Sequence, residues 1–314
     1  MKKKLNHTIP KSILRYFKNE NKKLNLNYLT KSGVIGDKNI TKRNFVNIKN
    51  FYSKKSLNEL LKSNKHIQIN PIFKFLDEDL ETNIDRCVEN PFSKIIKIIL
   101  GSPIKFDLNE KEEMLIKEYL CIQHMRTKRF KEDSKKIRLN SEIPDLDEIS
   151  KQILKKTEEF VMDPKLLEKY KSKAKIEAIK VVLNIREHLN KSDTHSLDII
   201  NKVERDSFFK TVGLEKKNVS LVLNNTSIPF VLPDCGSIIG SHHPTIKSDT
   251  LYEAYIPITP KIMLRFSNKP EKIVHVDDET IIESLNDLFY EESFEVIFCN
   301  NKSYLDSIKR SREY

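Results

Sequence analysis

The residues best suited to chemistry lie in three short polar motifs that are far apart in the chain. The first is the HTIP segment that begins at His7, where we expect Thr8 to cap a short helix with Pro10 in its first turn. A neutral imidazole directly before a helix N-terminus could act as a general base, or bind an anion jointly with the helix amides. The alternative is that His7 only caps the helix or is exposed.

The second motif, QHMRTKR, ends a long predicted helix in the middle of the chain. Gln123 and Arg126 are three residues apart and therefore share a helix face. The planar guanidinium of Arg126 suits a carboxylate or a phosphate, and we expect Lys128, Arg129 and Arg15 to add phosphate-binding charge. The alternative is positive charge that stabilises the C-terminus of the helix.

The third motif is a predicted strand, residues 229–234, that ends in Asp234. A carboxylate at a strand end is well placed to face a pocket, although it could also cap a turn. Cys235 has no partner base nearby and is expected to be a small buried hydrophobe. His242 and His243 are adjacent and lack a third ligand at usable spacing, so we predict no metal site and no cofactor.

The elements that must position these motifs fall into three stretches of different periodicity. Alternating apolar residues between 24 and 51 indicate short strands, helical spacing dominates from about 56 to 206, and alternation returns afterwards. The pattern predicts an α+β protein with a predominantly helical N-terminal two-thirds and a β-rich C-terminal third. We expect a helical region over 1–206 that includes a short basic β-containing segment, and a β-rich region over 207–314. The alternative is one continuous domain.

Composition excludes several classes of protein. No apolar run approaches the roughly 18 residues of a membrane span, so no membrane partner is expected. The first residues are basic but lack the apolar region of a secretory signal. The four cysteines lie far apart, which is typical of reduced thiols, and we therefore expect a cytoplasmic location.

The net charge of +11 is concentrated at the N-terminus. Residues 1–66 carry 17 Lys and Arg against three acids, a net charge of +14, which leaves −3 for the remainder. Such a segment could contact the phosphates of a nucleic acid or a nucleotide. Since most of the excess is Lys, it could also be only a solvated surface.

The three motifs, in this order, resemble the uncharacterised and mainly bacterial family known as domain of unknown function 4238. Residues that match its motifs occur along nearly the whole chain: His7, Pro10, Leu14, Phe17, Phe51, Tyr52, Glu89, Gln123, Arg126, Thr127, Phe230, Asp234, Pro257, Pro260 and Asn286. The chain departs from the family at Lys128, where the family usually has Pro, and in the turn around Asp234, which usually reads Ser-Asp-x-Pro.

The resemblance implies an uncharacterised protein of mobile, host-defence-associated bacterial loci. We therefore expect an anti-phage effector that acts on nucleic acid or a nucleotide, with RNase-like cleavage that needs no metal. His7 would serve as acid or base, Arg126 would stabilise developing phosphate charge, and Gln123 or Asp234 would orient the reacting groups.

Two other interpretations use the same residues. In the first, the protein is a non-enzymatic sensor that binds nucleic acid or another ligand. In the second, the motifs are structural, with Arg126 and Asp234 forming a buried ion pair between the helical and β parts while His7 caps a helix. The oligomeric state does not follow from the sequence.

Overall fold

The protein is described here by a computed structural model. It covers residues 5–7, 9–19, 25–39, 47–49, 55–62, 64–127, 130–131, 150–153, 155–156, 173, 176–180, 183, 194–241 and 252–312. The chain divides into two compact units, Met1–Lys128 with Ser196–Tyr314, and Arg129–His195. In the second unit, the described residues 150–153, 155–156 and 176–180 are helical.

The described residues contain eleven strands in three sheets. In chain order the strands are β1 Leu5–His7, β2 Asn25–Thr30, β3 Ile35–Asn39, β4 Asn47–Lys49, β5 Asn218–Asn224, β6 Leu232–Pro233, β7 Ile238–Ser241, β8 Tyr252–Thr259, β9 Ile262–Ser267, β10 Ile273–Val276 and β11 Val296–Cys299. Strands β1 and β4 form a two-stranded sheet, and the others form sheets of order β10-β5-β9-β8-β7 and β3-β2-β11-β6.

The structure also contains helices. In chain order they are α1 Lys11–Leu14, α2 Leu57–Lys62, α3 Leu80–Ile84, α4 Asn90–Gly101, α5 Glu110–Met125, α6 Thr194–Ile200, α7 Lys202–Val212, α8 Glu279–Glu292 and α9 Lys302–Arg310. Short 3₁₀ turns occupy Arg15–Phe17, Pro103–Lys105 and Leu214–Lys216, and a π-helical turn, Asp85–Glu89, joins α3 to α4. No helix among the described residues has both the length and the apolar character needed to cross a membrane.

The predicted division into a predominantly helical N-terminal two-thirds and a β-rich C-terminal third is wrong. Strand β11 pairs antiparallel with β2 on one side and with β6 on the other, with Ile297 opposite both Leu29 and Pro233. One sheet therefore combines strands from both ends of the chain. The architecture is roughly α+β, but local alternation could not reveal this pairing because it joins residues far apart in sequence.

A shared core explains why the two ends of the chain associate. Ile282 and Phe289 of α8, Ile297 of β11 and Leu305 of α9 are completely buried in one apolar cluster that also contains Leu29. Burial of such side chains stabilises the fold by about 1.5–3 kcal/mol each. The predicted domain boundary at residue 206 remains a prediction.

Helix α5 carries the central motif and is built as its sequence predicts. The side chain of Asn109 accepts hydrogen bonds from the backbone N–H groups of Lys111 and Glu112, each at 3.0 Å. The carboxylate of Glu112 in turn accepts the N–H of Asn109 at 3.0 Å, which completes a capping box. At the other end the helix finishes at Met125, and Arg126 is its C-terminal cap.

Candidate functional site

Arg126 is the largest fully buried side chain among the described residues, with only 1% of its surface exposed. Its backbone N–H still donates to the carbonyl of Ile122 at 3.0 Å, so the side chain continues the face of α5 that carries Tyr119 and Gln123. These three residues are spaced by four and three positions, which places them along one side of the helix. A buried guanidinium requires charged partners.

Two carboxylates provide those partners. Nη1 of Arg126 donates to Oε1 of Glu89, and Nη2 lies 3.2 Å from Oε1 of Glu81. The carboxylate side chains are themselves mostly buried, with 15% of Glu81 and 13% of Glu89 exposed. One guanidinium thus faces two acids.

The two glutamates are positioned by the helical segment before α4. Asp79 caps α3 by accepting the N–H of Thr82 at 2.8 Å, and Glu81 lies in this first turn. Glu89 ends the π-helical turn, and Pro91 follows it at the start of α4. Pro91 has no N–H to donate, so it suits this position at the beginning of a helix, where that N–H would have no helical partner. Such π-helical turns occur frequently at functional sites.

Tyr119 completes this group. Its ring stacks on that of Phe92, with centroids 3.6 Å apart and planes within 4°. The phenol oxygen is buried and has no hydrogen-bond partner in the part of the chain that the structure describes. Burial raises the pKa of Tyr119, the charge of Glu89 raises it further, and Arg126 opposes both. We call Glu81, Glu89, Tyr119 and Arg126 the Arg126 cluster.

Sequence reasoning found only part of the Arg126 cluster. Neither Glu81 nor Tyr119 was among the predicted site residues. Glu89 was identified through the family resemblance but was not assigned to the site. The available signal for Glu89 was its place in a family motif; nothing local distinguishes Glu81 from the many other acids of the chain.

Gln123 does not face the same group as Arg126. Its Nε2 donates to the carbonyl oxygen of Cys235 at 3.1 Å. The next residue, Gly236, has a φ of +72°, and a Cβ there would lie 3.1 Å from Nε2 of Gln123 and 3.4 Å from Cγ1 of Ile9. All three polar motifs therefore meet at Gly236, although their charged groups do not converge there.

Asp234 is occupied by backbone groups. Its two oxygens accept the N–H groups of Phe294, Glu295 and Val296 at 2.9, 2.6 and 3.1 Å. Burial raises the pKa of Asp234, while these three N–H groups oppose the rise. Asp234 makes no ion pair with Arg126 in the described part of the chain, so the pair expected under the structural interpretation is replaced by pairs with Glu81 and Glu89.

Asn286, which matches a family position, holds the preceding residues in place. Its Oδ1 accepts the N–H of Val231 at 3.0 Å, and its Nδ2 donates to the carbonyl of Pro229 at 2.8 Å and to the hydroxyl of Tyr304 at 2.9 Å. We call residues 229–236 the Asp234 segment. The family positions Asn286 and Gln123 thus bind its two ends.

The remaining predicted residues have other positions. His7 pairs with Asn47 in the β1–β4 sheet, four residues before α1, and so does not stand directly at a helix N-terminus; its side chain lies outside the description. Lys128 and Arg129 lie outside the described residues. Arg15 is exposed, and its guanidinium donates to the hydroxyl of Tyr16 at 2.6 Å.

The two further possibilities weighed from the sequence concern metal and thiol chemistry. Both adjacent histidines, His242 and His243, lie outside the described residues. Within the described ranges, no group of three or more His, Cys, Asp or Glu side chains could hold a metal ion. Burial raises the pKa of Cys235, with the charge of Asp234 as a second cause, which keeps this thiol protonated.

Comparison with known families identifies a match. The family described as protein of unknown function (DUF4238) matches residues 6–303, nearly the whole chain. The chain belongs to this family. The DUF4238 match includes the positions of all the motifs described above, from His7 to Asn286, and thus both the Arg126 cluster and the Asp234 segment. Searches of curated proteins and of solved structures gave no significant match.

Proposed function

We propose that this DUF4238 protein is a cytoplasmic bacterial host-defence effector that acts on nucleic acid or a nucleotide through the Arg126 cluster. The observation that carries the proposal is the buried guanidinium of Arg126 held between Glu81 and Glu89, together with the buried hydroxyl of Tyr119, which has no hydrogen-bond partner among the described residues. Burying such groups costs stability, and functional sites are where this cost is commonly retained.

The nucleic acid or nucleotide is suggested by charge. Residues 1–66 carry a net charge of +14, whereas the rest of the chain carries −3. A basic segment attracts the phosphate backbone without reading its sequence, and this attraction weakens as salt rises. The basic segment would hold the phosphates while Glu89 of the Arg126 cluster meets another part of the ligand.

The geometry changes the roles within the expected RNase-like reaction. Because the charge of Arg126 is already balanced by two carboxylates, its role is to position Glu81 and Glu89 rather than to stabilise a phosphate. In the proposed cleavage, Glu89 takes the proton of a ribose 2′-hydroxyl, whose oxygen attacks phosphorus, and His7 donates a proton to the departing 5′-oxygen. Gln123 and Asp234 maintain the scaffold.

The second candidate is a non-enzymatic sensor that binds nucleic acid or another ligand. The observation that favours it is that Arg126, Asp234 and Gln123 each bind groups of the protein itself. In this case the same cluster would recognise the ligand without transferring a proton.

Incubation of the purified protein with total cellular RNA, in the presence of EDTA, tests the proposal. An effector shortens the RNA, and Glu89→Gln abolishes the cleavage, whereas Glu283→Gln, a change at an exposed residue of α8, leaves it intact. Intact RNA with salt-sensitive retardation in a gel identifies the sensor instead. If the protein neither cleaves nor retards RNA or DNA, both forms of the proposal are overturned.

A further inference from the structure

The five-stranded sheet carries a row of polar side chains that the proposed function does not use. Arg265 on β9 lies directly opposite Tyr255 on β8 and Ser220 on β5. Residues paired in this way project from the same face of the sheet, and Glu253, two positions before Tyr255, projects from that face as well. We call Ser220, Glu253, Tyr255 and Arg265 the Arg265 row. It shares no residue with the Arg126 cluster.

One edge of the Arg265 guanidinium makes no hydrogen bond. Only 12% of the side chain is exposed, and both Nε and Nη2 are buried without a hydrogen-bond partner among the described residues. These two nitrogens lie side by side and form one edge of the planar group. Buried polar groups are nearly always hydrogen-bonded, so two adjacent donors without an acceptor require an explanation.

The acids near Arg265 do not fill this edge. Glu253 accepts the hydroxyl of Tyr255 at Oε2. The carboxylate of Glu271, which is 54% exposed, approaches Nη2 of Arg265 only to 3.8 Å, beyond hydrogen-bond distance. The backbone carbonyl of Glu271 accepts the hydroxyl of Ser220 at 2.6 Å. The main chain of Glu271 is therefore anchored to the row, while its side chain extends to the surface.

A second cation lies close to the Arg265 row. Lys217 directly precedes β5 and is buried. Burial lowers the pKa of its amine, whereas the charge of Glu253 raises it, so the amine lies within electrostatic reach of the row. Burial and the charge of Glu253 raise the pKa of Tyr255, and Arg265 lowers it. Burying a cation costs stability unless a negative charge compensates it, so both Lys217 and Arg265 favour an added anion.

The geometry of the open edge selects the kind of anion. Two parallel N–H groups of a guanidinium match two oxygens of a carboxylate or of a phosphate, which can each accept one hydrogen bond. A monatomic anion such as chloride has no second atom to occupy the other donor. The chemistry shared by the suitable ligands is therefore that of an oxyanion.

We infer that Nε and Nη2 of Arg265 bind a small oxyanion, a carboxylate or a phosphate, which displaces the side chain of Glu271. Because Glu271 is exposed and makes no hydrogen bond to Arg265, its side chain can turn towards solvent and open this edge of the guanidinium. The rest of the Arg265 side chain is buried, so only a small anion or the end group of a larger molecule reaches it. The inference does not depend on the proposed function.

Titration calorimetry with sodium phosphate and with sodium acetate as separate probes, at an ionic strength held constant with sodium chloride, tests the inference. We expect binding at one site, and we expect Arg265→Lys to weaken it at least about tenfold because lysine retains the charge but lacks the fork. The control Arg310→Lys, at an exposed residue of α9, should bind as the wild type does. Tighter binding of phosphate or of acetate identifies which oxyanion the site prefers. The inference fails if neither binds, or if Arg265→Lys binds as tightly as the wild type.

Glu271→Gln tests the displacement and does not require a change at a buried residue. Removing the competing negative charge should strengthen binding of the preferred oxyanion about threefold and leave the Tm of the ligand-free protein unchanged, because the pair with Arg265 is long and Glu271 is exposed. The matched control Glu283→Gln, on α8, should change neither quantity. Unchanged or weaker binding in Glu271→Gln would overturn the inference, even if Arg265→Lys failed to fold.

Discussion

The Arg126 cluster and the Asp234 segment are both buried and polar and both include family positions, yet their hydrogen bonds are distributed differently. In the Asp234 segment, both oxygens of Asp234 and both ends of the Asn286 amide have partners. In the Arg126 cluster, the buried hydroxyl of Tyr119 has no hydrogen-bond partner among the described residues. Fully paired polar groups make a core rigid, whereas a buried hydroxyl without a partner requires an explanation, and a role in a functional site is one.

Of the variants that test this comparison, Arg126→Ala is expected to lose the most stability. Removing the guanidinium leaves Glu81 and Glu89 close together, mostly buried and without their shared counter-charge. We expect the free energy of unfolding, measured with denaturant, to fall by about 3–5 kcal/mol. The control Arg310→Ala removes an exposed arginine from α9 and should change stability by less than about 0.5 kcal/mol. Equal stability of Arg126→Ala and wild type would show that the pairs contribute little.

A smaller loss is expected when the Asp234 segment is broken. Asp234→Ala deprives the N–H groups of Phe294, Glu295 and Val296 of their acceptor at the start of β11. We expect a loss of about 2–4 kcal/mol, and a smaller loss for Asp234→Asn, which retains one oxygen. RNA cleavage or binding per folded molecule should be unchanged. A folded Asp234→Ala protein that had lost this activity would assign Asp234 to the site after all.

The pH dependence of the same variants tests the environment of Asp234. Burial raises its pKa in the folded protein above the ordinary value of 3.8, so the folded state holds the proton more tightly than the unfolded state. The stability gained from this tighter proton binding is fully present at a pH below the ordinary pKa of Asp234. It is lost as the pH rises through the pKa that Asp234 has in the folded protein. As the pH rises between these two pKa values, the wild-type protein should therefore lose stability relative to Asp234→Asn. Denaturant unfolding at each pH measures this difference. A constant difference would contradict the pKa shift.

Contacts between residues close together in the chain could be predicted from the sequence, whereas contacts between distant residues could not. The capping box at Asn109 and the shared face of Gln123 and Arg126 depend on spacings of three residues, and both could be predicted. The pairing of Arg126 with Glu81 joins residues 45 positions apart, and the insertion of β11 between β2 and β6 joins the two ends of the chain. Composition and periodicity do not specify such contacts, because these depend on how the whole core packs.

The motifs themselves could be found, but their contacts could not. Asp234 was correctly placed near a strand end, yet the same position suits a pocket residue or a backbone acceptor, and only the position of β11 decides between them. Gln123 and Arg126 do share a face of α5, but their side chains bind different parts of the protein. A short motif specifies which groups lie near one another on a helix, and tertiary packing determines what each group contacts.

The smallest of these effects concerns Gly236, where the three motifs meet. Gly236→Ala places a Cβ at a φ of +72° and 3.1 Å from Nε2 of Gln123, so it strains the backbone and displaces the side chain that holds Cys235. We expect a loss of about 1–2 kcal/mol in denaturant unfolding. Gly101→Ala is the matched control, because a Cβ there meets nothing within 4 Å, and this change should be neutral or slightly stabilising. Because the Arg126 cluster contacts other residues, Gly236→Ala should leave RNA cleavage or binding per folded molecule unchanged; weaker cleavage or binding would mean that the Arg126 cluster and the Asp234 segment are coupled.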